Sequence, residues 1–156
     1  MNALTRRRHQ ALRRTALVLA FVYMLALSAI AFWPTPVDRD ASGSITGVLA
    51  WLHAHGVPGW VNYVLVEFTA NIALFVPVGL LGVILLGARN WWLAVLAGCV
   101  TSGYIEFTQL VFLPARFATP QDVLANTLGA ALGALLGVLL LHAVSSRARA
   151  QPVPAV

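Results

Sequence analysis

PQDVLANTLGAALGALLG, residues 120–137, decides how this chain folds. Read at about 100° per residue, Asp122, Asn126, Gly129, Gly133 and Gly137 fall on a single helix face. Small residues let two helix backbones approach closely, and an acid with an amide at the head of the same face is costly against lipid. Such a face has to look inward, onto other helices of a membrane bundle.

The bulk composition agrees. Of 156 residues, 60% are hydrophobic and 10% charged, with a mean hydropathy of +0.82. A soluble domain of this size carries about 25% charged residues, so an integral membrane protein is expected. Four stretches, about 15–33, 61–86, 91–113 and 123–144, are long enough to cross about 30 Å of hydrocarbon. The expected fold is therefore all-α: a four-transmembrane-helix bundle over 15–144, with a basic tail at 1–14, an outer loop at 34–60 and a second tail at 145–156.

Every basic residue is arginine, and five of them (Arg6, Arg7, Arg8, Arg13, Arg14) lie in the first fourteen positions. A basic arm can bind nucleic acid, but beside an apolar run it is better read as a topology signal, and no nucleic-acid partner is expected. With the amino terminus inside, Arg89, Arg147 and Arg149 also lie inside. Only Arg39 and Arg116 lie outside, together with Asp38, Asp40 and Asp122. The expectation is a multi-pass membrane protein with both termini cytoplasmic. Ala29-Ile30-Ala31 imitates a signal-cleavage site, but the apolar run is too long for a signal and ends in Phe32-Trp33, which favours a retained anchor.

In the outer loop, SITGVLAWLHAHG (44–56) carries Ile45, Val48, Leu49 and Leu52 at helical spacing behind Ser44 as a cap. A short interfacial helix is expected, with Trp51 and Trp60 at headgroup depth. His53 and His55 point to different faces of such a helix and make no metal pair. Cys99 reads as a small core residue.

The intramembrane polar residues are the functional candidates. Glu67 and Asn71 lie four apart in the second span. Ser102, Glu106 and Gln109 share one face of the third, and Asp122 and Asn126 open the fourth. All fall in the outer half under the orientation above, with Arg116 over the same place. A carboxylate at the centre of a span costs about 2.5–3.5 kcal/mol, so such groups line a wet cavity or meet partners. Interhelical hydrogen bonds are the plainer alternative, at about 0.6 kcal/mol each. Three acids beside one arginine exceed that need, and Glu67, Glu106 and Asp122 are weak candidates for a divalent cation. Gly98 joins the Ser102–Glu106 face as a packing residue, and Pro77 with Gly79 is expected to kink the second span.

NIALFVPVG (71–79), then Ser102, Ile105-Glu106 and Gln109, then Arg116, Asp122-Val123-Leu124, Asn126-Thr127-Leu128-Gly129 and Gly133, in that order and spacing, resemble the VanZ-like family of small bacterial membrane proteins. The likeness covers about 60–140, with Gln121 standing where the family usually has an acid. The resemblance implies a cell-envelope role associated with resistance to the glycopeptide teicoplanin, and it names Glu67, Asn71, Glu106, Gln109, Arg116, Asp122 and Asn126 as the matched polar set.

Three functions are compatible with these residues. The leading one is a non-catalytic envelope factor whose outer pocket holds a lipid-linked cell-wall precursor, an anionic headgroup or a cation. An intramembrane enzyme acting on a lipid-linked substrate is the alternative, with Glu67 or Glu106 as base. The absence of a nucleophile–base pair in the motif leans away from it. A small proton- or cation-coupled transporter is the third reading and would need an oligomer, since four spans carry no detectable repeat. No residue pattern names a cofactor.

Overall fold

Backbone N–H and C=O groups in an apolar run have no water to pair with, so each span must satisfy them internally as helix. The computed structural model describes residues 3–33, 42–113 and 119–150, with side chains from 13 to 146 within those ranges. Its elements are α1 (Ala3–Ala31), α2 (Ser42–Ala54), α3 (Tyr63–Leu86), α4 (Trp91–Phe112) and α5 (Pro120–Ala150), with a 3-10 turn at Ala88–Asn90. Four of these helices are long and apolar enough to cross a membrane. Arg39, Asp38, Asp40 and Arg116 lie outside the described residues.

The boundaries show local chemistry at work. Helix α1 extends back through the basic segment, and Arg13 and Arg14 are exposed on it. Helix α2 begins at Ser42, so Ser44 lies inside the first turn and is not its cap. Asn62 caps α3 by accepting the Leu65 N–H at 3.1 Å, which sets the start at Tyr63. At the other end Gly87 takes φ +86°, a conformation side chains disfavour, and donates its N–H to the Val83 carbonyl at 2.8 Å. Helix α3 runs through Pro77 as one element.

The tightest packing joins α3 and α5, which run parallel. A Cβ added at Gly129 or Gly133 would overlap the backbone carbonyl oxygen of Ile72 or Val76, and one added at Gly79 would overlap that of Ala130. Gly137 faces Val83, where an added Cβ would stand 2.9 Å from the valine Cβ. The two backbones therefore touch directly along about two turns. Helix α4 runs antiparallel across both: Gly98 meets the Ala130 methyl, Gly82 of α3 meets Ala94, and Val83, Ala94 and Ala134 form a buried cluster. Helix α1 is the outer member. Its Leu27 and Ala31 pack with Phe75 and Ile105, and Tyr23 donates to the Leu74 carbonyl at 2.5 Å.

Most other apolar side chains point outward. Leu17, Val18, Phe21 and Val22 of α1 and Leu124, Leu132, Leu135 and Leu139 of α5 are exposed. A water-soluble helix bundle would hide those stripes, and hydrocarbon is the solvent that tolerates them. Trp51 and Trp60 are exposed as well, and Leu49 is the buried residue of α2. His53 and His55 donate to the carbonyls of Val61 (2.9 Å) and Trp51 (2.7 Å), which closes the end of α2.

The close approach makes a direct prediction. Gly133→Ala forces the α3 and α5 backbones apart and lowers stability by about 1–3 kcal/mol or more. Gly103→Ala, where an added Cβ meets nothing within 4 Å, leaves stability unchanged or raises it by up to about 1 kcal/mol. Thermal unfolding of the two variants in detergent separates these outcomes.

Candidate functional site

Polar side chains converge at the end of the bundle where α1 stops and α5 starts. Asn126 lies six residues into α5, about 9 Å along its axis, and its Nδ2 donates to Ser102 Oγ of α4 at 2.8 Å. Both residues are buried, Ser102 completely. One turn nearer the helix start, Asp122 accepts from Asn71 Nδ2 of α3 at 2.6 Å and from the Thr119 hydroxyl at 3.0 Å. Glu106 of α4 accepts the Thr119 backbone N–H at 2.8 Å. Gln109 of α4 is buried and donates to the Ala31 carbonyl at 2.8 Å, tying α4 to the last turn of α1. These bonds stitch α3 to α5, α4 to α5 and α4 to α1.

Thr119 is the residue that sequence reasoning missed. Its hydroxyl also accepts the Asp122 N–H at 3.3 Å, while that same hydroxyl donates to the Asp122 carboxylate. Thr-Pro-Gln-Asp is the spacing of a capping box with proline at the first helical position, a signal present in residues 119–122. Two carboxylates, Glu106 and Asp122, thus sit at the positive end of the α5 dipole with hydrogen-bond donors aimed at them, which accounts for much of their tolerance in an apolar setting. Gln109 answers a second orphan: the final carbonyls of α1 have no partner in their own helix.

Around this network lies a cavity of about 600 Å³, a size typical of small-ligand sites. Glu67, Asn71, Glu106, Gln109, Thr119, Asp122 and Asn126 supply its polar lining. Leu27, Ile30, Leu74, Phe75 and Ile105 supply apolar walls, and Ile45 of α2 closes one edge. Glu67 is exposed on α3, Asn71, Glu106 and Asp122 are half-buried, and Ser102 reaches the cavity only through Asn126. Among the described residues no three His, Cys, Asp or Glu side chains stand close enough to share a metal ion, so Glu67, Glu106 and Asp122 line one space without forming a ligand set. Arg116, a candidate by sequence, lies outside the described residues.

Asn71 and Asp122 should behave as one unit. A double-mutant cycle on Asn71→Ala and Asp122→Ala, read by unfolding in detergent, is expected to give a coupling of about 1 kcal/mol or more. Additive losses would mean that the two side chains do not share a bond.

Searches of curated proteins and of solved structures each returned no match. A family model does match: VanZ/LLP1, over residues 20–141, a span that includes α1 from its midpoint, the whole polar network and the glycine face of α5. The chain belongs to the VanZ/LLP1 family.

Proposed function

We propose that this protein is a non-catalytic factor of the bacterial cell envelope, seated in the plasma membrane with both termini cytoplasmic. Its cavity opens toward the outer face and receives the polar head of a lipid or lipid-linked cell-wall precursor, or a cation. Occupying or presenting that head alters what glycopeptides such as teicoplanin can reach. One observation carries the reading: a single space has an amide- and carboxylate-bearing floor and leucine, isoleucine and phenylalanine walls, the two-part chemistry of an amphiphile. The arginine-rich first fourteen residues support the orientation, since positive segments stay inside.

A nucleophile needs a base within reach and an open path to substrate. Ser102 is fully buried, bonded to the Asn126 amide and off the cavity, which disfavours catalysis through it. Thr119 lines the cavity with the Asp122 carboxylate 3.0 Å from its hydroxyl and is the position an enzyme reading would use.

Filling the space tests the reading without breaking a bond. Ala70 lines the cavity and is exposed, so Ala70→Trp should occupy the site and leave the network intact. Native mass spectrometry of protein extracted with its own lipids is expected to show bound lipid falling by about tenfold, the equivalent of about 1.4 kcal/mol, at unchanged thermal stability. Equal lipid retention by wild type and Ala70→Trp contradicts the proposal.

A further inference from the structure

Two apolar stripes face each other beside the polar cavity, one on α1 and one on α3. The last turn of α1 and about the first three turns of α3 line the same space, so these helices run antiparallel. Along α3, Val66, Ala70 and Leu74 follow at i, i+4 and i+8 and all line that space, which puts them on one stripe. Asn71 and Phe75 lie about 100° round the helix from it. They turn toward α5, where Asn71 bonds Asp122 and Phe75 stands beside Gly129. Along α1, Tyr23 and Ile30 are seven residues apart and share a face.

At Tyr23 the stripes are joined, because its hydroxyl donates to the Leu74 carbonyl. Ile30 lies two turns further along α1, and the antiparallel run sets it level with Val66–Ala70 of α3. There the stripes part. Ile30 is 38% and Val66 37% exposed, and Ala70 is exposed too. Phe75, Ile105, Gln109 and Asn126 line the same cavity from behind and are buried. With Glu67, the three exposed residues complete the exposed part of the lining, and all four belong to α1 and α3. The mouth of the cavity is therefore a slot between these two helices.

Both helices are long and apolar enough to cross a membrane, and Tyr23 stands near the middle of the apolar stretch Arg13–Ala31. The foot of the slot thus falls near the bilayer midplane. From Leu74 up to Val66 it rises about 12 Å at 1.5 Å per residue, against about 15 Å for one leaflet of a 30 Å hydrocarbon core. A space of about 600 Å³ suits a head, and a chain one leaflet long runs on past it along the slot.

We infer, resting on the lipid-head reading above, that the site takes its ligand by the chain as well as the head. A hydrocarbon chain lies between Ile30 and the Val66–Ala70 edge, and the ligand enters sideways from the leaflet. Its class is a membrane amphiphile, with the head in the cavity and the chain in the slot. A cation, sugar or detached headgroup arriving from water is not the natural occupant.

The test uses full-length protein in micelles doped with dioleoyl phosphatidylglycerol or dioleoyl phosphatidylethanolamine, with native mass spectrometry reading retained lipid. In the first arm, wild type is challenged with the single-chain lyso forms and with the chain-free heads, glycerophosphoglycerol and glycerophosphoethanolamine. The lyso forms are expected to displace bound lipid, and the chain-free heads are expected to leave it in place even at millimolar concentration. In the second arm, Ile30→Trp/Val66→Trp narrows the slot at two exposed positions and is expected to lower retention of both lipids about tenfold. Val64→Trp, at a position on α3 that is 65% exposed and off the cavity, retains lipid as wild type does. Thermal unfolding checks that both variants fold, and the wild-type arm decides alone where the double variant does not.

Displacement by chain-free heads as readily as by lyso forms overturns the inference, since the chain then adds nothing. So does full retention by Ile30→Trp/Val66→Trp, or an equal loss in Val64→Trp. A wild type that retains neither lipid overturns instead the lipid-head reading beneath it.

Discussion

Contact between the backbones of α3 and α5 sets the other distances in this molecule. Gly79, Gly129 and Gly133 leave no room for a single additional carbon, so these two parallel helices approach as closely as helices can. That approach brings Asn71 within 2.6 Å of Asp122, although 51 residues separate them. Parallel neighbours cannot be joined by a tight turn, and α4 provides the return crossing. In doing so it carries Ser102, Glu106 and Gln109 past the start of α5. The polar network is thus a consequence of the glycine seam, and a wider separation of α3 and α5 would dissolve it.

The network in turn explains how ionisable groups reside in an apolar chain. Lipid offers no hydrogen bonds, so every buried polar atom must find its partner inside the protein. Glu106 and Asp122 gather at the N-terminus of α5, where backbone N–H groups lack partners of their own. Gln109 reaches the equally needy C-terminus of α1. Structural duty therefore absorbs much of the polarity that sequence inspection assigned to ligand binding. What it leaves over is a cavity of about 600 Å³ that joins polar and apolar residues in one lining.

Helical phase alone was enough to put Asp122 and Asn126 on the glycine face of α5, and hydropathy alone was enough to count the spans. The pairing of side chains was not legible. Phase tells which residues share a face, but not how neighbouring helices are rotated, so nothing in the sequence says that Asn126 meets Ser102 while Asn71 meets Asp122. Gln109 bonds to a backbone carbonyl, and a backbone partner leaves no mark in residue type. Tyr23, counted among the hydrophobes of the first span, reaches the Leu74 carbonyl through its hydroxyl. Thr119 was legible through its capping spacing, a hydroxyl before a first-turn proline with an acid three residues on.

Closeness of α3 to α5 at the cavity is the claim on which the rest stands, and solid-state NMR in lipid bilayers reaches it directly. With 15N in asparagine side chains and 13C in aspartate carboxyls, and Asn2, Asn62, Asn90, Asn126, Asp38 and Asp40 substituted to leave Asn71 and Asp122 as the labelled pair, dipolar recoupling reads one distance. The account predicts a nitrogen-to-carboxyl-carbon separation below about 4 Å, as a direct hydrogen bond requires. A separation beyond about 6 Å, too long for any direct bond, would contradict it.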